Sequence, residues 1–205
     1  MISKRQLEER ELRKERILDG ALRVFQRSGL EGATMDEIAQ EAGFGKATLY
    51  YYFPSKEEVF CAIMEKGWKP LWEGIETVIH RETAPKVTFF DVLKRIVEIT
   101  LKDRILYRFL FTAPKAIIHM PENEQTWKRY QNRMYRALSG LLEEGIARGD
   151  FPKVDADLFM RAIGGLFHGL MFLGEITEEP DEEEIEKLIS RLLNIPGVTT
   201  KGGNS

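Results

Sequence analysis

Between Thr34 and Pro54 the chain carries two helix starts and two helix stops, set so close together that two short helices joined by a tight turn satisfy them. Thr34-Met35-Asp36-Glu37 has the form of a capping box, in which the Thr34 hydroxyl accepts from the Glu37 backbone N–H while the Glu37 carboxylate reaches back. Ile38, Ala39 and Ala42 supply the buried face of this first helix. Gly43-Phe44-Gly45 ends it, because glycine readily takes the left-handed backbone of a turn. The second helix runs from Lys46 to Phe53 and stops at Pro54, since the residue before a proline is pushed out of helical geometry. Ile38, Ala39, Leu49 and Phe53 then form a small core that fixes the interhelical angle. Lys46, Ala47 and Thr48 are left at the free end of the second helix, the layout of a helix-turn-helix.

Helical periodicity runs through the rest of the chain. Leu18, Ala21, Leu22 and Phe25 recur at steps of three and four on a first helix that ends near Gly29. Upstream, Lys4 to Arg16 is charged at nearly every position, with Glu9 and Arg13 in favourable i,i+4 order. It reads as a solvated helix extension, with an arm touching DNA through Lys4, Arg5 or Arg10 as the alternative. A second capping box, Ser55-Lys56-Glu57-Glu58, opens a long helix whose stripe is Val59, Ile63, Gly67, Leu71 and Ile75, with Pro70 inside it. Further helices are expected over Phe89 to Lys102, Ile105 to His119, Glu122 to Ala147, Asp155 to Gly174 and Asp181 to Leu193. Breaks fall at Pro85, Pro114, Pro121, Gly149 to Pro152 and Pro180. No alternating strand pattern competes, so the fold class is all-α, with about nine helices: an N-terminal three-helix head and a C-terminal helical body.

Composition narrows the function classes. The 205 residues are 43% hydrophobic and 31% charged with a formal net charge of −3, so any nucleic-acid contact must be local. Residues 1–53 hold nine basic and nine acidic groups, which cancel, and a shallow salt dependence of DNA binding is expected. One cysteine, Cys61, forms no intramolecular disulfide, and His80, His119 and His168 have no paired zinc spacing. The N-terminus lacks a signal peptide's apolar core, and the longest apolar run, Ala162 to Gly174, falls short of the roughly 20 residues of a membrane span. A cytoplasmic protein is expected. No nucleophile–base–orienter set, phosphate loop or Glu-x-x-His motif emerges, so an all-α enzyme is a remote alternative and no cofactor or metal is expected.

Phe25-x3-Gly29, Thr34-x3-Ile38-Ala39-x2-Ala42-Gly43 and Lys46-x-Thr48-Leu49-Tyr50-Tyr51-Tyr52-Phe53-x-Ser55-Lys56-Glu57 together resemble the TetR family of transcriptional regulators, densely over Glu15 to Phe60. The resemblance implies that Lys46, Ala47 and Thr48 approach bases, that Thr34, Tyr50, Tyr52 and Lys56 approach phosphates, and that Tyr51 serves either. Gly45 and Ala47, also counted among the DNA-contacting positions, stand where many relatives carry a polar residue and glycine, respectively. The residues themselves agree in part. Lysine donates to guanine O6 or N7 and phenols donate to phosphate. Tyr50 falls beside the Leu49/Phe53 core face with its hydroxyl free to tip outwards, whereas Tyr52 is equally well a core aromatic.

In the body, Phe159, Ile163, Leu166 and Leu170 line one side of a Gly-rich helix, and Leu188 and Leu192 lie on the amphipathic face of the next. An intramolecular core would use the same residues; the resemblance implies instead a four-helix homodimer interface, matched to a two-fold operator. Large side chains concentrate between these regions. Trp68, Trp72, Phe109, Trp127, Tyr130, Met134, Phe167, His168 and Met171 are the candidates for lining an effector cavity, with a buried, satisfied core histidine the favoured account of His168. Pro70 would bend its helix and couple effector to head. The domains expected are 1–53 for DNA binding, 54–197 for ligand binding and dimerisation, and 198–205 as a flexible tail. The expected function is a ligand-responsive regulator, most simply a repressor released from a palindromic double-stranded DNA operator by a small apolar or aromatic effector. A protein-interaction helix-turn-helix module is the alternative.

Overall fold

A computed structural model describes residues 3–81, 83–112, 126–172 and 182–192. Nine helices and no strand occur among the described residues: α1 (Lys4–Gly32), α2 (Met35–Ala42), α3 (Lys46–Tyr52), α4 (Lys56–Ile79), α5 (Pro85–Lys102), α6 (Arg104–Thr112), α7 (Lys128–Arg148), α8 (Ala156–Phe172) and α9 (Glu182–Leu192). The expected helical stretches 113–119, 122–125, 173–174 and 181, the residue Leu193, the breaks at Pro114, Pro121 and Pro180, and the tail 198–205 lie outside the described residues.

The chain divides into two compact units, Met1–Lys69 with Ile105–Arg129 and Pro70–Arg104 with Tyr130–Ser205, so the division falls inside α4 at Pro70. In the first unit α1 buries Ile17, Leu18, Ala21, Val24 and Phe25, and it is interrupted at Gly29 (φ 68°, ψ 174°). Gly20 allows α1 and α2 to cross closely: a Cβ there would stand 2.8 Å from the Ala42 backbone nitrogen. The Phe25, Phe60 and Phe109 rings from α1, α4 and α6 interlock, with centroids 5.7–6.2 Å apart. Such aromatic contacts add to plain area burial. Lys66 on α4 ties back to Glu15 (2.6 Å) and Asp19 (2.9 Å) on α1. Burial pulls its pKa down, but the two carboxylates outweigh that and hold it above the ordinary lysine value.

In the second unit Phe89, Phe151 and Phe159 cluster with centroids 5.6–6.3 Å apart. Pro85, expected only to break the chain, is the first residue of α5, which starts four positions before the expected Phe89. Proline is well suited to that position, where its missing N–H would have no helical partner and its fixed φ is already helical. The expected pair Glu9–Arg13 gives way to Lys4–Glu8 (3.9 Å) and Arg5–Glu9 (3.3 Å) along the exposed start of α1.

Candidate nucleic-acid interface

The turn chemistry builds the head as its residues dictate. Glu37 N–H donates to Thr34 Oγ1 (3.2 Å) and Thr34 N–H donates to Glu37 Oε2 (2.9 Å), so both halves of the capping box are made. The bond from the Thr34 hydroxyl, with help from the Thr34 backbone, holds the Glu37 carboxyl below its ordinary value. Gly43 takes φ 73° and ψ 34°, and its N–H reaches the carbonyls that end α2. Phe53 N–H then donates to the Leu49 carbonyl (2.9 Å), and α3 ends at Tyr52, one residue short of the expected end, with Phe53 as its extended cap before Pro54. At the start of α4, Glu58 N–H donates to Ser55 Oγ at 3.2 Å.

Ile38 and Leu49 are fully buried and Ala39 and Phe53 nearly so. With these four turned inward, Lys46, Ala47, Tyr50 and Tyr51 face solvent, while Thr48 and Tyr52 are half-buried. Tyr51 is 72% exposed and Tyr50 51%, large values for aromatic side chains that burial would stabilise. Gly45 is the exposed N-cap of α3. Thr34, Asp36, Tyr50, Ser55 and Lys56 line an open cleft of about 440 Å³. Three of the expected DNA-contacting residues, Thr34, Tyr50 and Lys56, thus line one cleft, although the Lys56 ammonium is committed to the carbonyls of Glu31 (2.9 Å) and Ala33 (3.0 Å).

Charge organisation was not legible from spacing. Arg23 (2.8 Å) and Arg27 (3.4 Å) both bind Glu41, and the Arg23 hydrogen bond leads in holding the Glu41 carboxyl below its ordinary value. Lys46 pairs with Asp36, whose hydrogen bond and charge raise the Lys46 pKa. Three further cations sit over aromatic rings: Arg10 over Tyr51 (5.9 Å), Lys14 over Phe53 (6.0 Å) and Arg16 over Phe44 (4.9 Å). The first two bring the charged start of α1 beside the end of α3, a juxtaposition that joins Arg10 and Lys14 to the surface around Tyr51. The periodicity of α1 identifies the exposed side but not which element stands next to it.

The other expected site residues are distributed as follows. Trp68, Phe109 and Trp127 belong to the first unit and are buried. Trp72, Tyr130, Met134, Phe167, His168 and Met171 belong to the second, where Tyr130 and Met171 are buried and the rest half-buried. Arg133 stands 5.8 Å over the Trp72 ring, and the His168 and Phe172 rings meet at 5.8 Å. Phe159, Ile163, Leu166 and Leu170 are half-buried on α8, and Leu188 is 39% exposed on α9. The Leu192 side chain lies outside what is described. Leu158 is 67% exposed and shares the open side of α8 with Ala162 and Gly165; the apolar periodicity emphasised the neighbouring stripe instead.

The family model for bacterial regulatory proteins of the tetR family matches residues 17–63, which run from the buried Ile17 of α1 to Ile63 of α4 and enclose the whole turn. In that segment the chain is similar to the TetR family. The chain is 27% identical over 181 residues to an HTH-type transcriptional regulator of Bacillus subtilis, YfiR, covering 82% of the chain and 84% of the relative. It is 40% identical over 107 residues to the negative transcriptional regulator IcaR of the biofilm operon icaADBC in Staphylococcus aureus, covering 52% of the chain and 50% of the relative. Among solved structures, the fold is shared with the TetR-family regulator PfmR from Thermus thermophilus, at a TM-score of 0.70 and 22% identity over 90% of this chain and 99% of that one. It is also shared with AibR, solved in complex with isovaleryl coenzyme A and operator DNA, at a TM-score of 0.73 and 18% identity over 88% and 97% of the two chains. The segment matched by the family model thus encloses the helix-turn-helix formed by α2 and α3 on α1. Among the described residues, no helix is long and apolar enough to cross a membrane.

Proposed function

We propose that this chain is a ligand-responsive transcriptional repressor that holds a palindromic operator as a homodimer and is released by a small, largely apolar effector. The observation that carries the DNA reading is the exposure of Lys46, Ala47, Tyr50 and Tyr51 on a helix whose opposite face is anchored by Leu49 and Phe53. Lys46 supplies donors for a guanine edge, and Tyr50 and Tyr51 supply hydroxyls for phosphate, whereas the Thr34 hydroxyl is donated to Glu37. Gly45 and Ala47 give close approach with few side-chain base contacts. Arg10 and Lys14 add cations beside them. Functionally the division is 1–53 for DNA binding and 54–197 for sensing and pairing.

Two observations support an effector that carries acceptor oxygens on an apolar frame. The indole N–H groups of Trp68 and Trp127 are buried with no hydrogen-bond partner among the described residues, a state that costs about 1–3 kcal/mol for each donor. A carbonyl or carboxylate of a bound molecule would satisfy either. AibR, of the same fold, was solved with an acyl thioester and its operator. Pairing of subunits through α8 and α9 is supported by the open side at Leu158, Ala162 and Gly165 and by the exposure of Leu188. Pro70, where α4 passes from one unit to the other, is the natural place for an effector to change the helix.

The test is fluorescence anisotropy with duplexes from the chain's own upstream DNA, together with selection from a randomised duplex pool. Lys46→Ala should abolish discrimination among sequences. A salt slope equivalent to more than about eight neutralised phosphates per dimer would contradict the balanced charge of the head. A thermal-shift screen of acyl thioesters, fatty acids and aromatic acids, followed by release of the selected duplex, identifies the effector class.

A further inference from the structure

Lys46 is the first residue of α3, and no side-chain cap faces it. A cation at the positive end of a helix is unfavourable, so the helix itself gives no reason for lysine there. Across the turn, Asp36 occupies the second position of α2 and forms an ion pair with Lys46. Both side chains remain open to water, at 63% and 57%. An exposed pair of this kind adds little to folding, and the α2–α3 angle is already held by the buried Ile38, Ala39 and Leu49. Asp36 also lines the cleft shared by Thr34 and Tyr50, so a carboxylate stands within the surface assigned above to DNA. Binding is where its effect falls.

Phosphates attract any lysine whatever the sequence, and each neutralised phosphate adds its share of sequence-independent affinity. For Lys46 that gain is largely cancelled, because leaving Asp36 for a phosphate exchanges one anion for another and strands a carboxylate in the negative field of the backbone. A guanine edge is different. Its O6 and N7 carry no formal charge, and an ammonium has three donors, so Lys46 can keep Asp36 and still donate to the base. We infer that Asp36 is a specificity-determining residue of the DNA-binding head: its ion pair with Lys46 suppresses phosphate binding by that lysine while leaving donors for a guanine edge. Tyr50, one turn along α3 on the same side, contributes its hydroxyl to the same cleft. The inference rests on the DNA-binding reading proposed above.

The experiment compares the full-length wild type with Asp36→Asn, Lys46→Ala and the double variant, all checked for helical content by circular dichroism. The probes are a random-sequence duplex and the duplex that the wild type enriches from a randomised pool, each titrated with salt. Asp36→Asn frees Lys46 for one phosphate, so random-duplex affinity rises about eightfold per protomer at about 0.1 M salt and the slope steepens by about 0.9. Affinity for the enriched duplex rises less, and the ratio of the two falls. In the Lys46→Ala background Asp36→Asn produces no comparable rise. Unchanged or weaker random-duplex binding by Asp36→Asn overturns the inference, as does an equal rise without Lys46, which would mark a general charge effect. If the wild type enriches no sequence at all, the DNA-binding reading fails and this inference fails with it.

Discussion

Replacing Gly20 by alanine should destabilise the head even though alanine is the better helix former. In an exposed helix interior the change from glycine to alanine is worth about 0.8–1.0 kcal/mol in favour of folding. At Gly20, however, the new Cβ would lie 2.8 Å from the Ala42 nitrogen, 2.9 Å from its Cα and 2.9 Å from its Cβ. The first two are backbone atoms and cannot swing aside, so α1 and α2 must separate. Overpacking of this kind costs about 1–3 kcal/mol. Subtracting the propensity gain leaves a net loss of roughly 0–2 kcal/mol. Gly140 on α7 is the control, because a Cβ there meets nothing within 4 Å and only the gain remains. Urea unfolding followed by far-ultraviolet circular dichroism should place Gly20→Ala at or below the parent and Gly140→Ala above it. DNA affinity should fall for the first alone, since a spread α1–α2 crossing re-aims α3. A Gly20→Ala protein that gains as much stability as Gly140→Ala would refute the close-crossing argument.

Tyr51→Ala removes a ring that is 72% exposed, so stability should stay within about 0.5 kcal/mol of the parent while affinity for the enriched duplex drops. Anisotropy and thermal unfolding on the same preparations separate the two effects. The carboxyls of Glu41 and Glu37 are held below their ordinary value of 4.5, so the stability they contribute is complete above that pH and is lost as pH falls through their lower native values. Glu41→Gln should accordingly flatten the acid limb of a stability–pH profile, measured by urea midpoints. Leu158→Glu places a charge on the open side of α8; sedimentation velocity should show a shift towards single subunits with helical content unchanged.

The parts of the head that were legible in the sequence are those decided within a few residues. The Thr34 box, the left-handed Gly43 and the stop before Pro54 depend on local hydrogen bonds and φ limits, and the burial of Leu49 and Phe53 follows from their four-residue spacing. What escaped was set by helix crossings. Nothing in the spacing of Asp36 and Lys46, or of Arg10 and Tyr51, says that they meet, because each pair is joined through the packing of α1, α2 and α3. The same limit applied to Lys56, whose expected phosphate role competes with two backbone carbonyls near the end of α1. Pro85 was ambiguous for a different reason: proline both ends one helix and suits the first turn of the next. In α8 the spacing placed Phe159 on the apolar stripe but could not say that its ring also meets Phe89 and Phe151.

The three interlocked rings of Phe25, Phe60 and Phe109 make a mechanical joint as well as a core. Because the rings come from α1, α4 and α6 and are in mutual contact, none of these helices can shift at that level without disturbing its contacts to the other two. Trimming any one ring would leave a void shared by all three helices.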